Sequence, residues 1–193
     1  MKGNKIIFIT GGARSGKSLF AMAAASKIKG IKAYIATAEA LDEEMKERIE
    51  KHKRRRGDDW VTYEEPIKIS DVLKTIEGRY CAVVIDCLTL WLSNIMHSGL
   101  EVTNEINALL GALTNNPTIP PFRKGGLGGF SVNPASTLFV VSNEVGMGIV
   151  PENELARRFR DMAGILNQKM AEISDEVFIV VAGIPIKIMD KRA

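Results

Sequence analysis

The chain holds 193 residues, 46% of them hydrophobic and 25% charged, which is enough apolar material for a single domain with an ordinary core and excludes a disordered or fibrous chain. Its 26 Lys and Arg against 23 Asp and Glu leave a formal charge of +3, too little to mark the whole domain as a nucleic-acid binder. Its two cysteines, Cys81 and Cys87, form neither a CxxC pair nor a disulfide framework and read as buried thiols in a reducing cytoplasm.

The opening apolar run reaches only from Ile6 to Ile9 before glycine, too short for a signal segment or a spanning helix, so a soluble chain without a membrane span is expected. Beyond it, β-branched apolar runs alternate with longer helix-period stretches. That alternation predicts an α/β fold of parallel strands joined by crossover helices. The predicted strands are 5–10, 32–36, 81–86, 137–142 and 176–182. A sixth, 185–189, follows Gly183 with too little chain for a crossover and should pair antiparallel as an edge hairpin. Helices are predicted over 16–28, 41–55, 70–77, 88–96 and 152–173, the last opened by Pro151. His97 falls in the loop after the fourth of these.

Residues 114–136 break the pattern. Four of the seven prolines and four of the 17 glycines lie there, with no acidic residue, so the segment opposes both helix and central strand. It reads as a Pro/Gly-rich surface loop or disordered insertion without catalytic duty.

The sharpest chemical signal is Gly11-Gly12-Ala13-Arg14-Ser15-Gly16-Lys17-Ser18, which matches G-x-x-x-x-G-K-[ST] between a predicted strand and a predicted helix. The glycines let successive backbone N–H groups turn toward a β-phosphate seated on a helix N-terminus. Lys17 then supplies a point charge for the β/γ-phosphates, and Ser18 a hydroxyl for Mg²⁺. The fold class that follows is a P-loop, RecA-like, mostly parallel sheet with helices on both faces and an antiparallel edge hairpin. Asp86 ends the apolar run Ala82-Val83-Val84-Ile85, where it serves either as a Mg²⁺ ligand or as an ordinary strand-ending turn residue.

His52 shares the partly apolar face of the helix 41–55, within roughly 20° of Leu41 at 100° per residue, and is followed by Lys53, Arg54, Arg55 and Arg56. Neighbouring cations lower a histidine's pKa and keep a ring nitrogen free to attack phosphorus, and the same cations suit a triphosphate. Spacing alone also allows a packing histidine before a solvated, macrodipole-favoured helix end.

Taken together, ITGGARSGKS, YIATAEALDEEMKERIEKHK, W-x-T-x-E-E-P (Trp60 to Pro66), VIDCLTLWLSN, VVSNEVGMGIVP and RRFRDMAGILNQKMA resemble the bifunctional adenosylcobinamide kinase and adenosylcobinamide-phosphate guanylyltransferase family of cobalamin biosynthesis. The resemblance covers nearly the whole chain except the insertion. It implies a homotrimeric, cytoplasmic P-loop enzyme that uses ATP or GTP to phosphorylate adenosylcobinamide. The enzyme would then transfer GMP from GTP to the product through a guanylyl-histidine. By resemblance His52 is the guanylylated residue, Gly11 to Ser18 the phosphate loop and Asp86 the second Mg²⁺ motif. Ala36, Thr37, Ala38, Lys53, Arg54, Arg55, Arg56 and Glu64 fall where the family contacts nucleotide.

The chain departs from the family's H-x-x-x-R-P-x-x-W pattern, with Gly57 in place of proline, and it carries the insertion. Asn143 and Glu144, with Gly146 and Gly148, fit either closure over a substrate or a plain turn. Arg157, Arg158 and Arg160 fit phosphate, a second subunit or a solvated helix face. Two other functions share the P-loop signature: a small-molecule kinase without covalent nucleotide, and a RecA-like ATPase acting on nucleic acid. Against the latter stand the near-neutral charge and the lack of a basic, aromatic strand, so no nucleic-acid partner is expected.

Overall fold

The structure, a computed structural model, describes residues 4–39, 43, 57–114 and 136–191. In chain order the elements are β1 (Lys5–Thr10), α1 (Lys17–Ser26), β2 (Lys32–Ala36), β3 (Trp60–Glu64), α2 (Ile69–Thr75), β4 (Ala82–Asp86), α3 (Leu88–Ser98), α4 (Val102–Thr114), β5 (Thr137–Val141), α5 (Glu154–Ile173), β6 (Glu176–Val181) and β7 (Ile184–Asp190). The strands form one sheet in the order β3-β2-β4-β5-β1-β6-β7, parallel throughout except for the β6–β7 hairpin. This is the expected α/β class with its antiparallel edge.

Parallel strands are covered on both faces, which is why their sequences are continuously apolar rather than alternating. On one face Ile6, Phe8, Ile35, Ile85 and Val140 pack against α2, α3, α4 and α5, with Trp91 and Leu109 fully buried among them. On the other, Ile7, Ile9, Val84 and Val141 meet Ala21, Met22 and Ala25 of α1. Helices therefore cover both faces of the sheet, as expected. No helix among the described residues is long and apolar enough to cross a membrane.

Five predicted strands agree with the observed ones to within a residue at either end, and the hairpin strand is longer by one at each end. Two elements were not predicted. The first, β3, is WVTYE, whose β-branched and aromatic residues suit a strand. The second, α4, buries Val102, Ile106, Leu109 and Leu113, a helical repeat that can be read in hindsight. Three local expectations need correction. Pro151 does not open α5; Asn153 caps it, its side-chain oxygen accepting from the Ala156 amide at 3.1 Å. His97 belongs to the last turn of α3, not to a loop. Both cysteines are free, but only Cys87 is buried; Cys81 is half-buried. Burial, with the Asp86 charge beside it, pushes the Cys87 thiol above its ordinary pKa. The predicted helix 41–55, apart from the exposed Glu43, lies outside the described residues, as do 115–135 of the Pro/Gly-rich segment.

Candidate active site

β1 ends at Thr10 and the chain turns through residues 11–16 into α1. Gly11 has φ 142° and Gly16, the N-cap of α1, has φ 101°, conformations that side chains with a Cβ rarely adopt. A Cβ on Gly11 would stand 2.3 Å from the Val180 carbonyl oxygen, so β6 runs too close for any other residue. Gly12, Ala13 and Arg14 form the exposed crest. The N-terminus of α1 has no side-chain cap and no acidic residue in its first turn, so no side chain of the helix itself offsets the positive end of its dipole. The Lys17 ammonium lies within the loop, donating to the Gly12 carbonyl at 2.5 Å and to Ser15 Oγ at 3.4 Å.

Ser18 faces β4, and its hydroxyl donates to Asp86 Oδ1 at 3.0 Å. Two hard oxygen donors at this spacing fit Mg²⁺, which binds through one or two protein oxygens and keeps water or substrate phosphates for the rest. Among the described residues no group of three or more His, Cys, Asp or Glu gathers into a metal cage.

The register brings the other predicted residues to the same edge. Glu64, Ala36 and Asp86 form one row across β3, β2 and β4. Glu64 is exposed, two strands and roughly 10 Å from Asp86. Ala36 and Ala38 are half-buried and Thr37 is buried. The Thr37 hydroxyl accepts from the Cys87 amide and donates to the Cys87 carbonyl, both at 2.8 Å, so this side chain clamps the backbone that follows Asp86. Asn94 of α3 fixes the same corner, donating to the Thr37 carbonyl at 2.8 Å and the Pro66 carbonyl at 3.1 Å. Neither clamp was anticipated from sequence, where Asn94 carries no signal beyond a polar position in a helix.

Asn143 and Glu144 follow β5 at the same edge. The Asn143 amide donates to Thr89 Oγ1 at 2.6 Å, and Glu144 Oε1 accepts from the Gly146 amide at 2.7 Å. Asn167 of α5 donates to the Asn143 carbonyl at 3.1 Å, and its own buried Oδ1 has no hydrogen-bond partner among the described residues. Gln168 is exposed. Arg157 donates to the Pro151 and Glu152 carbonyls just ahead of α5, and Arg160 pairs with its neighbour Asp161, so both are engaged locally. Trp60 opens β3, and the Gly57 carbonyl accepts from its amide at 3.2 Å. His52, Lys53, Arg54, Arg55 and Arg56 lie outside the described residues.

Known proteins with related sequences identify the family of the chain. The family model for cobinamide kinase / cobinamide phosphate guanyltransferase matches residues 7–120 and 127–188, breaking only within the Pro/Gly-rich segment. The bifunctional adenosylcobalamin biosynthesis protein CobP of Pseudomonas aeruginosa is 38% identical over 179 residues, covering 92% of this chain and 93% of its own. The bifunctional adenosylcobalamin biosynthesis proteins CobU of Salmonella typhimurium and of Escherichia coli are 35% and 34% identical, each over 95% of this chain and 99% of its own. A match of this extent is family membership: the chain belongs to the CobU family of cobinamide kinase / cobinamide phosphate guanyltransferase enzymes.

Proposed function

We propose that a single nucleotide-binding domain carries both reactions of the family, with residues 114–136 as an insertion, in a cytoplasmic homotrimer. The observation that carries the reading is the Ser18–Asp86 pair beside the uncapped start of α1, at the strand ends where open α/β sheets take their ligands. In the first reaction the loop from Gly11 to Ser18 cradles the β- and γ-phosphates of ATP or GTP, and Lys17 stabilises charge on the transferred phosphoryl group. Ser18 and Asp86 hold Mg²⁺, which neutralises phosphate charge when bound. The acceptor is the hydroxyl of the aminopropanol arm of adenosylcobinamide.

In the second reaction a ring nitrogen of His52 attacks the α-phosphorus of GTP. The N–P bond forms as the bond to the β-phosphate oxygen breaks, and pyrophosphate leaves. A phosphate oxygen of adenosylcobinamide phosphate then attacks the same phosphorus. The N–P bond breaks, giving adenosylcobinamide-GDP and restoring the imidazole. Lys53 to Arg56 supply positive charge for the triphosphate, and Ala36, Thr37, Ala38 and Glu64 border the nucleotide.

Intact-mass measurement after incubation with GTP and Mg²⁺ tests this reading. One acid-labile, alkali-stable GMP per chain is expected, because a phosphoramidate hydrolyses once its nitrogen is protonated. The adduct should vanish in His52→Ala and persist in His97→Ala. Its persistence in His52→Ala overturns the assignment of the nucleophile. Its complete absence from the wild-type protein favours a kinase without covalent nucleotide.

A further inference from the structure

Asp86 is held from two sides. While Ser18 donates to Oδ1, the phenol of Tyr34 donates to Oδ2 at 2.6 Å, the length of a charge-assisted O–H···O⁻ bond. Tyr34 is 3% exposed and pairs with Val84 on the neighbouring strand, two residues before Asp86 and on the same face as α1. Its ring is fixed from behind: Trp60 meets it edge-on, with centroids 6.4 Å apart and planes at 71°. Lys32 in turn lies 5.9 Å from the Trp60 ring centroid and is ion-paired to Asp59. A carboxylate tied at one oxygen only can swing about its Cβ–Cγ bond, whereas one tied at both oxygens has its plane set. The Ser18 hydroxyl is the tie that a cation engages for itself. The Tyr34 tie comes from β2 to the other carboxylate oxygen and is free of that duty.

We propose that Tyr34 is a positioning residue that orients the Asp86 carboxylate for a nucleotide-bound divalent cation, with Trp60 buttressing its ring. The proposal rests on the reading of Asp86 given above. It also gives Trp60 a physical role that family resemblance alone does not supply.

The test is protein-bound Mn²⁺, measured by equilibrium dialysis against Mn²⁺ and saturating ADP with an ADP-only blank, for the wild type, Tyr34→Phe and Asp86→Asn. Tyr34→Phe keeps the ring against Trp60 and removes only the donor. We expect Mn²⁺ affinity to fall about tenfold, the scale of a lost outer-sphere partner, and the KM for Mg²⁺ in phosphoryl transfer to rise in parallel. At saturating Mg²⁺, kcat should stay within about threefold of wild type. Adding Tyr34→Phe to Asp86→Asn should cost no further affinity. If the wild type takes up no Mn²⁺ with ADP, the reading of Asp86 fails and this proposal with it. If the wild type binds and Tyr34→Phe binds equally well, only this proposal is overturned.

Should Tyr34→Phe not fold, the wild-type protein labelled with ¹³Cζ-tyrosine decides, since the chain has three tyrosines. The Tyr34 resonance, assigned by elimination from Tyr63→Phe and Tyr80→Phe, must move with Mg²⁺–ADP beyond its response to ADP alone. An unmoved resonance overturns the proposal.

Discussion

The amide of Glu144 donates to the carbonyl of Gly11 at 2.9 Å, tying the loop after β5 to the glycine-rich loop after β1. From the other side the Gly183 amide, in the β6–β7 turn, donates to the Ser15 carbonyl, also at 2.9 Å. Sheet order explains both bonds. β1 lies between β5 and β6, so the chain that leaves each neighbour can brace the loop that leaves β1.

Gly11 is where this bracing is tightest. Gly11→Ala places a methyl 2.3 Å from a backbone oxygen at φ 142°, and neither the oxygen nor the angle can relax cheaply. Strain and overpacking together should destabilise the fold by about 3 kcal/mol. Urea denaturation monitored by circular dichroism checks this; a midpoint within error of wild type would mean that β6 does not approach the loop so closely.

Lys17→Ala should leave the chain folded, since the contacts it removes from the Gly12 carbonyl and Ser15 are worth about 2 kcal/mol. Phosphorylation of adenosylcobinamide should nevertheless fall about 10²- to 10³-fold, because a charge aimed at the transferring phosphoryl group is not replaced by water. Steady-state kinetics with melting curves separate the two effects. Unchanged phosphorylation would reject the phosphate-loop reading.

Thr37→Val removes the clamp behind Asp86 without changing the side chain's shape. The Cys87 carbonyl keeps its bond from the Trp91 amide, but the buried Cys87 N–H loses its acceptor. An orphaned buried donor costs about 2 kcal/mol. The melting temperature should fall accordingly, whereas Thr37→Ser should restore most of the loss. A loss in Thr37→Ser with Thr37→Val as stable as wild type would assign the effect to the methyl group rather than to the hydroxyl.

These residues mark where sequence reading ends. The loop from Gly11 to Ser18 is legible because its chemistry is local: a glycine pattern between strand and helix has few physical outcomes. Asp86 is legible once that loop is seen, because strand order brings their ends to one edge. Thr37, Asn94 and Tyr34 act across 50, 57 and 52 residues of chain, and such pairings exist only after the register is set. The strand β3 was read as a motif rather than as structure, because exposed edge residues such as Val61 and Thr62 carry a weak apolar signal.

Tyr80 gives a pH dependence with a definite sign. Burial, with Tyr63 hydroxyl 2.7 Å away, raises its phenol from 10.0 to about 12. The folded chain therefore keeps a proton that the unfolded chain releases near 10. The resulting stability is fully present below pH 10 and is lost as pH rises through about 12. Denaturation at pH 8, 10 and 11.5 should show an alkaline loss that shrinks in Tyr80→Phe. An identical alkaline slope in that variant would place the loss on other groups.

The last prediction concerns the Pro/Gly-rich segment. Its two ends are anchored independently of it: Thr114 Oγ1 donates to the Leu110 carbonyl at 2.8 Å, and Ser136 donates to the Tyr80 carbonyl at 2.6 Å and to Asn4 Oδ1 at 3.1 Å. The family match also breaks between residues 120 and 127, inside this segment. Closure entropy grows only with the logarithm of loop length, so replacing 115–135 by a short Gly/Ser linker should leave stability unchanged or slightly raised. Guanylylation of His52 should persist, because no phosphate-binding motif lies in the segment. Differential scanning calorimetry, light scattering and intact mass measure the three properties. A changed oligomeric state, or lost GMP transfer with the melting transition intact, would identify the segment as part of the working enzyme.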